Sequence, residues 1–171
     1  MKSLTLKKIT YTAVLTALAT LAFMLESLFP PIILPGARMG VSNVFILICT
    51  LLVGYKYGFC CLILKILIGS LFSGNISSMM YSLPAGLVSL VIECVLLFIV
   101  KKVSIPAASV AGAVINSTVQ NLVFCLITGV PEYLYYLPYL SLIAILSGLV
   151  IGFTVYLAVK KLPKKLFLTT A

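Results

Sequence analysis

The feature that most constrains this fold is the division of long apolar runs by short polar punctuation. Such runs recur along the whole chain, and lysines gather at alternate boundaries between them. A spanning helix needs about 20 apolar residues, so the chain has room for roughly five or six spans with short connections. Composition agrees, because 63 % of the 171 residues are hydrophobic and 9 % are charged, far from the half-apolar, quarter-charged make-up of soluble domains. The expectation is an all-α integral membrane protein, a single polytopic domain over residues 1–171. Six transmembrane helices are expected at about 9–29, 41–53, 57–72, 83–100, 105–129 and 137–159. The second of these is short for a full crossing.

Orientation follows from the lysines. With the N-terminus inside, Lys2, Lys7, Lys8, Lys56, Lys101, Lys102, Lys160, Lys161, Lys164 and Lys165 share one face, and Arg38 stands on the other. Basic residues are held on the cytoplasmic side, so both termini are expected to be cytoplasmic and the location is the cell membrane. The first apolar run is longer than the h-region of a cleaved signal, about 7–15 residues, which favours a retained helix. The net charge of +9 lies at segment ends and not in a stripe with interleaved aromatics, so nucleic acid is not an expected partner.

The reactive inventory is thin. The chain has no His, Asp or Trp, and its acidic residues are Glu26, Glu93 and Glu132. A His-centred triad, a His-ligated haem and a carboxylate-rich metal centre are excluded. Cys49, Cys60, Cys61, Cys94 and Cys125 all lie in apolar runs without a C-x-x-C pair, and read as small hydrophobes. Neither an enzyme acting alone nor a cofactor is expected.

Polar groups inside the spans carry the remaining information, because charge at bilayer depth is costly and is usually paired or functional. Lys65 and Glu93 fall at matching depths, about 10–12 Å from the inner boundary, on consecutive antiparallel helices. They predict an ion pair or a shared polar cavity, with a purely structural pin as the alternative. Asn116 and Gln120, four apart on the fifth segment, share a face. With Ser117, Thr118 and Asn121 they read as interhelical glue or as the wall of a pocket. Arg38 suits capture of an anionic group from outside, or a surface salt bridge with Glu26. Tyr133, Tyr135, Tyr136 and Tyr139 form an interfacial belt or a lid. Ala13–Ala17 and Gly148–Gly152 are small-xxx-small steps that permit close helix contact, within the protein or with a partner.

Pro35-Gly-Ala-Arg-Met-Gly-Val-Ser-Asn-Val44 and Lys65-Ile-Leu-Ile-Gly-Ser-Leu-Phe-Ser-Gly74 resemble the signatures of the Gx transporter family, often labelled heptaprenyl diphosphate synthase component I. The resemblance runs from about Pro35 through the sixth segment. Relatives commonly show Arg at the position of Lys65, and His-Asn-x-x-Gln where this chain reads Asn116-Ser-Thr-Val-Gln120. The resemblance implies a fold similar to the substrate-binding S components of energy-coupling-factor transporters. Those have six helices and an A-x-x-x-A docking surface on the first, which Ala13 and Ala17 would supply.

Two functions are therefore expected in turn. The first is a small membrane transport protein, S-component-like, that takes a small amphipathic or anionic compound from the outer face. Arg38, Lys65, Glu93, Asn116 and Gln120 would line or gate its path. Without a nucleotide-binding loop, its energy would come from separate transmembrane and ATPase subunits. The second is a membrane accessory subunit in prenyl-diphosphate, quinone or flavin-linked electron-transfer metabolism, partnered by a prenyl synthase or a flavoprotein. Prenyl elongation holds Mg²⁺ with clustered carboxylates, so this Asp-free chain could not perform it alone.

Overall fold

The computed structural model describes residues 2–28, 40–74, 76–100, 103–163 and 166–168. Six helices carry the chain: α1 (Lys2–Leu28), α2 (Ser42–Leu52), α3 (Tyr55–Phe72), α4 (Ile76–Cys94), α5 (Ile105–Thr128) and α6 (Leu137–Lys161). A π-helical turn, Val95–Val100, extends α4, and a 3₁₀ turn, Pro131–Tyr136, leads into α6. Among the described residues there is no strand. The protein is a multi-pass membrane protein, and five of its helices are long and apolar enough to cross a bilayer.

Side chains explain why these runs stay helical in an apolar medium. Every backbone polar group must be satisfied within the segment, and the threonines return their hydroxyls to their own helices. Thr12 donates to Lys8 O at 2.8 Å, Thr20 to Thr16 O at 2.8 Å, and Thr50 to Ile46 O at 2.9 Å. Helix α5 starts at Ser104, whose Oγ accepts from Ala107 N at 3.4 Å, and stops at Gly129 with φ +69°. The turn from α2 to α3 passes through Gly54 at φ +124°, a left-handed-side conformation that a residue with a Cβ adopts only under strain.

Contacts along the helices give the up-and-down order. Glu26 near the end of α1 meets Ser42 at the start of α2, and Thr12 near the start of α1 meets Cys49 late in α2. Helix α2 therefore runs back along α1. Lys8 Nζ lies 5.9 Å from the ring centre of Tyr57, so α1 and α3 start at the same end. Leu168 N donates to Leu52 O at 2.7 Å, which brings the described C-terminal residues to that end as well. Lys7, Lys8, Lys56, Lys160 and Lys161, on the described segments, sit at these element ends. Arg38, Lys101, Lys102, Lys164 and Lys165 lie outside the described residues, and all of 29–39 with them.

Two expected boundaries move. Helix α4 begins at Ile76 and not near Leu83, with Pro84 inside it. Proline removes one donor to the carbonyl four residues back, but Ser78 is fully buried and Ala85 and Gly86 pack against the bundle, so packing carries the helix through. The six full crossings also need revision. At 11 residues, α2 is about 16 Å long, roughly half the hydrocarbon thickness.

The Gly148–Gly152 step is used internally. A Cβ at Gly148 would stand 2.8 Å from Val110 Cα, and one at Gly152 2.5 Å from Pro106 Cα. Helix α6 thus lies directly on the backbone of α5. Elsewhere the core is built where α1, α2 and α3 meet, around Ala19, Ile46, Cys49, Val53, Cys61 and Leu62.

Candidate functional site

All six helices contribute to one cavity, and α2 explains its position. Gly40, at φ +71°, accepts Asn43 N through its carbonyl at 2.8 Å and turns the chain into α2. The first residues of that short helix therefore lie beside the middle of α3, at the depth of Lys65. That residue stands ten positions into α3, about 15 Å along it.

The ammonium of Lys65 is buried, at 5 % exposure. An unsatisfied charge there would cost several kcal/mol, and the start of α2 supplies acceptors. Lys65 Nζ donates to Ser42 Oγ at 3.0 Å and to Asn43 Oδ1 at 2.9 Å. The Phe23 ring lies 5.4 Å from the same ammonium, within cation–π range. On the far side of Ser42, Glu26 Oε1 accepts the Ser42 backbone N–H at 3.2 Å. An acid at a helix N-terminus is favourably placed against the helix dipole. Glu26, Ser42, Asn43 and Lys65 together form the charged side of the cavity.

The opposite wall belongs to α5 and α6. Asn116, Ser117 and Gln120 reach the cavity from one face of α5, and Ser147 from α6. Between them Leu62, Ile66, Leu140, Ile143 and Ile151 give an apolar lining. The volume is about 70 Å³, room for roughly five water molecules. A site with an acceptor-rich charged side, two amides and an apolar wall can hold a small molecule with one polar and one apolar end.

The sequence reading placed Lys65, Asn116 and Gln120 in a shared site, and the structure brings those three together. Glu93 is not part of the lining. Its carboxylate lies against Gly112 of α5, where Ser89 Oγ also donates to the Gly112 carbonyl at 2.8 Å. The hydrogen bonds of Lys65 run to Ser42 and Asn43 at the start of α2. Equal depth on neighbouring helices sets height, whereas the direction around each helix sets the partner. The expected site residue Arg38 lies outside the described residues.

Other polar groups are occupied by structure. Thr118 donates to Val114 O at 2.8 Å, and Asn121 Nδ2 to Tyr133 O at 3.2 Å. Tyr133 packs edge-on against Phe124 at 4.9 Å, and Phe124 against Tyr81 at 5.6 Å. Tyr135, Tyr136 and Tyr139 are exposed, and none of these aromatics lines the cavity. Ala13 and Ala17 point away from the bundle on α1. The residues that sequence reasoning missed are Ser42 and Asn43. Their signal lay in the Pro35–Val44 motif itself, two hydrogen-bonding side chains just before an apolar run.

Residues 15–157 match the family described as heptaprenyl diphosphate synthase component I. The chain belongs to that family. This is the Gx transporter family that its two motifs resemble. No curated protein and no solved structure matches the chain. The matched span begins one turn before Ala19 of the core and ends in the last turns of α6, so it contains every described residue that lines the cavity.

Proposed function

We propose that this protein is the substrate-binding subunit of a membrane transport system, S-component-like, for a small amphipathic or anionic compound. The observation that carries the reading is the cavity at the depth of Lys65, which that buried side chain lines together with Asn116 and Gln120 of α5. Buried charge and amides in a spanning bundle need a reason, and passage or capture of a polar molecule is the common one. With both termini in the cytoplasm, as the positive-inside asymmetry implies, the end of the bundle where Glu26 meets Ser42 faces outward and the cavity is reached from there. The chain carries no nucleotide-binding loop, so energising transmembrane and ATPase subunits dock through the outward face of α1 that bears Ala13 and Ala17.

Mass spectrometry of small molecules released from the purified protein tests this. Wild-type protein should carry a compound that Lys65→Met and Asn116→Leu lose. If the same compounds accompany all three proteins, the cavity is not a substrate site.

The family description favours a second reading, a non-catalytic membrane subunit of a prenyl-diphosphate synthase. With three acidic residues and no Asp, the chain leaves Mg²⁺–diphosphate chemistry to its partner. A thirty-five-carbon prenyl chain is also far larger than a cavity of about 70 Å³. Mild-detergent purification separates the readings. ATPase subunits in the eluate support transport, and a prenyl synthase or flavoprotein supports the accessory role.

A further inference from the structure

We propose that the ligand of this cavity is a short amphipathic molecule with a carbonyl or carboxylate head, and that the Gln120 side-chain amide donates to that head. The inference rests on the substrate-binding reading above and names its ligand class. Buried donors in folded proteins nearly always find a partner. Among the described residues, two buried side-chain polar atoms have none, Thr16 Oγ1 and Gln120 Nε2. Of the two residues, Gln120 lines the cavity. Its Nε2 is a buried donor with no acceptor among the described residues.

The surrounding wall defines what brings the acceptor. The described charges on it are one ammonium, Lys65, and one carboxylate, Glu26. They offset one another, so a neutral carbonyl head is accepted and a carboxylate head gains from Lys65. Asn116, one turn before Gln120 on the same face, gives a second amide for the head. Leu140, Ile143 and Ile151 receive a tail, and a cavity of about 70 Å³ keeps that tail short. A protonated amine head on the same tail has no acceptor to offer Gln120.

The test uses the full-length protein in lipid nanodiscs with propanamide, propionate and propylamine as probes, each within the roughly five-atom capacity of the cavity. Binding is followed by ligand-observed NMR and stability by the thermal midpoint. Propanamide and propionate should bind the wild type, and propylamine should not. Gln120→Met, of similar length, should weaken both binders about tenfold, the worth of one hydrogen bond in a dry site. It should also raise the thermal midpoint without ligand, because it removes a donor that has no partner. Gln120→Glu, which keeps the length but exchanges donor for acceptor, should reverse the order and take propylamine over propionate. A lower ligand-free midpoint for Gln120→Met together with unchanged affinities overturns the inference, and makes Gln120 a packing residue. If no probe binds the wild type, the ligand class is wrong. In either failure the Lys65→Met comparison of co-purified compounds still decides the substrate-binding reading on its own.

Discussion

Asn43 offers the sharpest test of how the buried charge is held. Its Oδ1 accepts from Lys65 Nζ at 2.9 Å, beside a second bond at 3.0 Å to Ser42 Oγ. Replacing it by Leu keeps the heavy-atom count and branching of Asn but removes one acceptor from an ammonium whose residue has 5 % exposure. A hydrogen bond to a charged group contributes about 1.5–3 kcal/mol, and membrane hydrogen bonds tend toward the lower end of such ranges. Asn43→Leu should therefore destabilise the protein by about 2 kcal/mol. In a Lys65→Met background there is no ammonium to satisfy, and the same substitution should cost less than about 0.5 kcal/mol. The difference, a coupling of roughly 1.5 kcal/mol, is the quantity to measure. Unfolding of the four proteins of the cycle in a mixed-micelle titration reads it directly. An equal cost for Asn43→Leu in both backgrounds would refute the arrangement, since the carboxamide would then be holding something other than Lys65.

The remaining predictions concern packing, docking and the aromatic end. Gly152→Leu drives a side chain into Pro106 Cα of α5; it should lower stability by about 1–3 kcal/mol, seen as a lower thermal midpoint and a looser cavity next to Ile151. Ala13→Leu and Ala17→Leu, both on the exposed face of α1, should leave the isolated protein within about 0.5 kcal/mol of wild type yet abolish co-purification of energising subunits. Tyr133→Ala removes the Phe124 contact and should cost about 0.5–1.5 kcal/mol beyond lost area, whereas Tyr135→Ala, at 81 % exposure, should leave the thermal midpoint unchanged.

Much of the fold was legible because lipid imposes one rule, that backbone polar groups be satisfied within helices. The lengths of apolar runs then fixed α3, α5, α6 and the end of α1 within a few residues, while α1 starts seven residues before the expected position 9, at Lys2. The start of α4 was not legible. Pro84 and the serines before it look like a loop and a first helical turn, and only burial of Ser78 at 0 % and the seat of Gly86 on Leu62 keep them helical. Within the site, Asn116 and Gln120 could be paired because helical spacing of four fixes a shared face. Lys65 and Glu93 could be matched only in height. Sequence carries no signal for the rotation that turns Glu93 toward Gly112, because apolar residues surround both helices and the hydrophobic stripe that would orient them is missing.

That same absence of a stripe makes α2 the informative element. A full-length helix in its place would fill the centre of the bundle with backbone already bonded to itself, and would leave Lys65 without acceptors. An 11-residue helix begins instead at mid-depth, where its first turn still has unpaired N–H groups and polar side chains. Glu26 takes one of those N–H groups, and Ser42 and Asn43 turn to Lys65. The helix is too short to cross alone, and because it is short a charge can stay buried next to open space. Lengthening α2 by one turn ahead of Ser42 should therefore close the cavity and displace Lys65 from its acceptors, even though it improves the match of this segment to the membrane.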